Sequence, residues 1–120
     1  MADRTLVITW GAVVRGREEG ALDNFEEVVG LYARMQQEGR ITGFDVALLA
    51  PNATMDGFMQ LSGSAEQIAA VREDADFQRL MTEASLIVDD LCLIDGYIGE
   101  GINSQMAMFR DAVAKAPQLA

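Results

Sequence analysis

The stretch 5-TLVITWGAVVRG-16 limits the fold more than any other part of the chain. It is rich in β-branched residues and reads as a strand. Alternation puts Leu6, Ile8, Trp10 and Ala12 on one face and Val7, Thr9, Gly11 and Val13 on the other. Both faces are mostly apolar, so such a strand needs cover on both sides. Gly11 marks either a bulge or a place where something approaches the backbone closely.

The rest of the chain alternates between helix and strand patterns. Residues 17–39 carry Leu22, Phe25, Val28 or Val29, Tyr32 and Met35 at helical spacing, with acids crowding the front and Gly39 as the stop. Gly30 inside this helix suggests close packing on a sheet. Residues 40–51 read as a strand ending at Pro51, 51-PNATMDG-57 as turn material, and 57-GFMQLSG-63 as a short strand. Ser64 with Gln67 three residues on forms a capping box for a second helix. Glu73, Asp74 and Asp76 then interrupt the apolar stripe, and Phe77, Leu80, Met81 and Ala84 restart it. This predicts two helical pieces, with Asp74 or Asp76 capping the second. The last strand is 89-DDLCLIDGYIG-99, and 96-GYIGEG-101 turns into an amphipathic helix over 103–116 that stops at Pro117. Met106, Phe109 and Val113 form its apolar stripe.

The order β-α-β-β-α-β plus a C-terminal helix is that of the ferredoxin-like α+β fold. A single domain over 1–120 is expected, with its core in 5–99 and the extra helix in 100–117. Four antiparallel strands would carry the long helices on one face. The other face would then be a large apolar patch, which a second copy of the chain could cover in a two-fold dimer.

Composition narrows the chemistry. The chain has 120 residues, no histidine, one cysteine and a formal net charge of −10. The missing histidines remove the commonest neutral-pH acid–base group and the usual zinc and haem ligand. No cofactor, transition metal or disulfide is therefore expected, although carboxylate sites for magnesium or calcium stay open. The acidic balance argues against nucleic acid and against an anionic membrane surface. No apolar run is long enough to span a bilayer, and the first ten residues make a poor signal peptide, so a cytoplasmic protein is expected.

Two acids interrupt apolar strands. Asp45 shares a face with Ile41, Gly43, Ala47 and Leu49, and Asp95 with Leu91, Leu93 and Tyr97. Either each finds a partner such as Arg15, Arg40 or the Trp10 N–H, or both line a cleft as acid and base. Asp89 and Asp90 are neighbours in sequence, point to opposite faces of a strand, and suit a turn or cap better than a shared site. Trp10, Tyr32, Phe58 and Tyr97 are candidates for a flat aromatic pocket between sheet and helices, and equally for a small core. Cys92, between Leu91 and Leu93, reads as a buried inert thiol.

The strand-helix-strand order over residues 5–99, together with the half GSAEQIAAVREDADFQRLMTEASLIVDDLCLIDGYIG, resembles the dimeric α+β barrel superfamily. It is similar in particular to the small bacterial YCII-related and DGPF-type proteins, although 56-DGFM-59 only echoes the DGPF motif. The resemblance implies the fold and a homodimer. The superfamily includes cofactor-free monooxygenases, haem-degrading enzymes, lactone isomerases and ligand-binding regulatory domains. Three functions stay open: a dimer binding a small apolar or aromatic ligand, a cofactor-independent monooxygenase- or isomerase-like enzyme using a carboxylate, and a regulatory or partner-binding module. Whether the chain is an enzyme is left undecided.

Overall fold

The computed structural model describes residues 2–117 and 119. In chain order the elements are β1 (Arg4–Trp10), α1 (Glu18–Gln37), β2 (Gly43–Leu48), β3 (Gly57–Gly63), α2 (Ala65–Glu73), α3 (Ala75–Ser85), β4 (Cys92–Tyr97) and α4 (Glu100–Lys115). The strands form one sheet in the order β2-β3-β1-β4, with every neighbouring pair antiparallel. This is the ferredoxin-like topology.

Alternation along each strand divides the sheet into two faces. Leu6 and Ile8 of β1 and Met59 and Leu61 of β3 are buried together with Val28, Leu31, Tyr32 and Met35 of α1. Ile68 and Val71 of α2, and Phe77 and Leu80 of α3, close the same core. Each such aliphatic or aromatic side chain contributes about 1.5–3 kcal/mol on leaving water. The helices therefore lie on the face to which Leu6 and Ile8 point. The opposite face carries Val7 and Thr9, Phe58 and Gln60, Asp45 and Ala47, and Cys92 and Ile94, which the register aligns in rows across the strands.

Local signals fix the helix boundaries. The Ser64 capping box is formed: the Gln67 N–H donates to Ser64 Oγ at 3.2 Å and the Ser64 N–H to Gln67 Oε1 at 2.8 Å. The second helix is broken in two at Asp74, which is at once the C-cap of α2 and the N-cap of α3. Its Oδ1 accepts the Phe77 N–H at 2.8 Å, and its Oδ2 pairs with Arg40 at 2.6 Å. The acids in the middle of this stretch thus break a helix, as its interrupted apolar stripe predicts.

Several expectations need correction. β1 stops at Trp10, not at 16. Beyond it the Gly11 N–H donates to Asp89 O and the Val14 N–H to Ile87 O, and only an isolated bridge joins Val13 to Val88. Gly11 permits this approach, since a Cβ there would stand 3.1 Å from Asp89 O. β2 covers Gly43–Leu48 rather than 40–51, and β4 begins at Cys92, after Asp90 takes a left-handed φ of 57°. Gly30 does not pack on the sheet; the nearest atom to a Cβ there would be a guanidinium nitrogen of Arg34. Cys92 is exposed, not buried, because its strand is an edge and its side chain points away from the helices.

α4 starts three residues earlier than its stripe suggests, behind Gly99 at φ 53°. Gly101 is buried where the first turn crosses the N-terminal strand; a Cβ there would collide with the carbonyl oxygen of Asp3. The rest of α4 stands off the body. Ile102, Met106, Met108 and Phe109 are all exposed. The radius of gyration, 17.1 Å, exceeds the roughly 13.6 Å of a compact chain of this length, and the longest extent is 56 Å.

Candidate functional site

The helix face of the sheet is not filled along its whole length. At the end where β1 and β2 finish and β3 and β4 begin, the sheet and the helices part to leave a cleft of about 740 Å³. Ile8, Trp10 and Met59 form its floor, and Phe25 and Val28 of α1 form one wall. Met81 and Ala84 of α3, with Ile87 and Val88 after it, form the other. Its size is that of a pocket for a small organic molecule.

Trp10 shapes the floor. Its indole meets Phe25 edge to face, with centroids 6.4 Å apart and planes at 67°. The ring lies against the start of β3, and only glycine allows that approach: a Cβ on Gly57 would stand 2.7 Å from a Trp10 ring carbon and 2.7 Å from Ala47 O. The Asp56 N–H donates to Trp10 O at 2.8 Å, so the residue beside Gly57 holds the same strand end.

The loop from Leu49 to Asp56 forms the rim. Asn52 organises it, donating to Ala50 O and Met55 O and accepting the N–H groups of Thr54 and Met55, all at 2.7–2.8 Å. Asn52 lines the cleft with these bonds already made, and Asn24 likewise donates to Leu80 O at 3.1 Å. Glu18, opening α1, accepts the Gly16 N–H at 2.9 Å. Asp56 is half-buried, and its carboxylate has no hydrogen-bond or ion-pair partner among the described residues.

The structure separates the residues that the sequence suggests together. Of the four aromatic candidates, Trp10 lines the cleft. Tyr32 is fully buried in the core between Phe44 and Phe77, and burial pushes its hydroxyl pKa well up. Phe58 points to the opposite sheet face, and Tyr97 lies at the far end of β4 under the Arg4 guanidinium, 4.6 Å from its ring centre. Asp45 and Asp95 occupy the two edge strands and opposite faces, three strand spacings or about 14 Å apart at least. Both are exposed, and Asp95 pairs with Arg72 at 3.2 Å rather than with Arg15, Arg40 or Trp10. They share no wall.

The cleft instead gathers residues from segments far apart in the chain. Phe25, Val28, Met81 and Ala84 stand in the helical stripes of the sequence, and so does Leu22, which is 66% exposed because the stripe of α1 runs past the core onto the rim. The sequence marks Gly57 as the junction of a turn and a strand, with no sign of the indole against it. Among the described residues no three acidic, thiol or imidazole side chains gather as a metal site would require. What the geometry can do is enclose an apolar molecule against an indole.

No protein-family model and no curated protein matches the chain. Among solved structures it is similar to a dimeric protein of unknown function and ferredoxin-like fold from Bacteroides fragilis NCTC 9343. The TM-score is 0.60 at 8% sequence identity, over 80% of this chain and 96% of that one. At that identity the likeness establishes the ferredoxin-like fold.

Proposed function

We propose that the protein is a homodimer that binds a small apolar or aromatic molecule in the cleft between sheet and helices. The observation that carries this reading is the cleft itself, about 740 Å³ with Trp10 on its floor and aliphatic side chains on both walls. A core of this size ordinarily closes such a space with side chains. Trp10 is the only tryptophan, so its fluorescence reports the site directly. Titration with small aromatic and alicyclic compounds is expected to give a saturable spectral shift. Ala21→Phe, placed on a partly exposed lining residue, is expected to abolish that shift while leaving the melting curve within about 1 kcal/mol of the parent. No saturable change for any compound, or unaltered binding by the A21F protein, would reject the reading.

Dimerisation is supported by two apolar surfaces that a single copy leaves in water: Val7, Phe58 and Ile94 on the open sheet face, and Ile102, Met106 and Phe109 on α4. The Bacteroides neighbour is described as dimeric, and the assembly we favour covers the open sheet face as in the dimeric α+β barrel of YCII- and DGPF-type proteins, with α4 embracing the partner and supplying much of the contact. An exposed Cys92 suits a reducing cytoplasm. A cofactor-independent enzyme would need a carboxylate inside the cleft; Glu18 and Asp56 are placed there, and Asp45 and Asp95 are not.

A further inference from the structure

Given the ligand cleft proposed above, we infer that its ligand is an apolar amine, bound as the cation, and that the cleft discriminates against carboxylates. Three observations on the lining carry this. Among the described residues its only charged linings are Glu18 and Asp56, both acidic, and no lysine or arginine lines it. The nearest basic residues in sequence, Arg15 and Arg17, are exposed in the turn before α1 and lie outside the lining. Asp56 is half-buried at the lining, and its carboxylate has no partner among the described residues. Of the other polar linings, Asn52 spends its amide on carbonyl and N–H groups of its own loop, and Asn24 donates to Leu80 O while its neutral carbonyl oxygen is a weaker acceptor for a cation than a carboxylate.

A carboxylate without a partner at the lining of an apolar cavity leaves its acceptor oxygens open to an ammonium group, and a charge-assisted hydrogen bond is stronger than a neutral one. Trp10 and Phe25, edge to face in the same space, add a surface that attracts cations through the ring quadrupole. An anion would meet the reverse on every count: two like charges, no base, and aromatic faces of the wrong sign. A neutral alcohol of the same shape would keep the apolar contact and could donate one hydrogen bond to Asp56, without the attraction between charges. The lining therefore sets the order amine, then alcohol, then carboxylate, whichever hydrocarbon skeleton fits best.

The test is calorimetric titration of the full-length protein with phenethylamine, phenethyl alcohol and phenylacetate at neutral pH and low salt. They present one ring on a short stem with three different charges. The amine is expected to bind about tenfold more tightly than the alcohol, and phenylacetate more weakly than both. Asp56→Asn and Glu18→Gln remove the charges one at a time, and glutamine at 18 retains an oxygen for the Gly16 N–H. The D56N protein is expected to lose most of the preference for amine over alcohol and the E18Q protein a smaller part, because Glu18 is exposed and already accepts the Gly16 N–H, while both hold their affinity for the alcohol. That retained affinity also shows that the cleft is intact. Equal affinities for the three compounds, or tightest binding of phenylacetate, would overturn the charge inference and leave the ligand-cleft reading standing. Binding of none of them by calorimetry or by Trp10 fluorescence would overturn both.

Discussion

The ring of Tyr32 lies between Phe44 and Phe77, and its hydroxyl is buried and has no hydrogen-bond partner among the described residues. A buried hydroxyl in that position costs roughly 1–3 kcal/mol, while the ring around it packs as well as any phenylalanine. Tyr32→Phe is therefore expected to stabilise the protein by about 1 kcal/mol, raising Tm by about 4 °C in a thermal melt. The pH dependence has a definite sign. Burial raises the folded pKa above the unfolded value, so stability carries no ionisation penalty from this group below about pH 10 and falls as pH rises from there through the folded pKa. The Y32F protein is expected to lack that part of the alkaline decline. At this scale the sequence is only partly legible. Residue parity gives the face of a strand that Trp10 or Phe58 occupies. It does not say that Tyr32 lies deep in the helix stripe while Trp10 lies where the packing runs out. Nor can it pair Trp10 with the distant Gly57, since that contact exists only once β1 and β3 are in register.

Elements are more legible than residues, because caps and periodicities are local. Asp74 shows this best. It divides α2 from α3 by offering its carboxylate to Phe77, and it ties the junction to Arg40 before β2. Partial burial pushes its pKa up, but the Phe77 N–H and the Arg40 guanidinium outweigh that and hold it below the usual carboxylate value. Asp74→Ala is expected to cost about 1–2 kcal/mol, mostly through the lost cap, because Arg40 is substantially exposed. For a depressed pKa the contribution is complete above the ordinary carboxylate range and is lost as pH falls through the lower, folded value. The gap between parent and D74A in urea melts is therefore expected to be constant near neutrality and to narrow in acid. Sequence boundaries fail where the signal is tertiary. The segment after Gly11 looks like strand because it is β-branched, yet it pairs with 87–89 beyond the sheet rather than continuing β1.

At the scale of the whole molecule, the chain is too extended for its length because α4 leaves the body after one turn. An isolated helix of 16 residues is marginal in water, and in proteins such helices depend on packing of their apolar face. Within one copy Ile102, Met106 and Phe109 remain exposed, as does Ile94 on the open sheet face. The two surfaces differ in what a second copy would gain from them. The sheet rows mix Phe58, Val7 and Ile94 with Thr9, Gln60 and Asp45, whereas the α4 stripe is continuous at helical spacing. α4 is therefore expected to hold the dimer at least as strongly as the sheet. Phe109→Glu removes a contact of about 1.5–3 kcal/mol from each copy and puts a charge in its place. In sedimentation at low micromolar concentration the parent is expected to run at twice the chain mass and the F109E protein mainly as a single chain. Ile94→Glu is expected to weaken the dimer less. Because both side chains are exposed in the single copy, either variant is expected to keep the folded body, seen as an unchanged Trp10 emission spectrum. A parent that sediments as a single chain would refute dimerisation, and dissociation by I94E alone would move the main contact from α4 to the sheet.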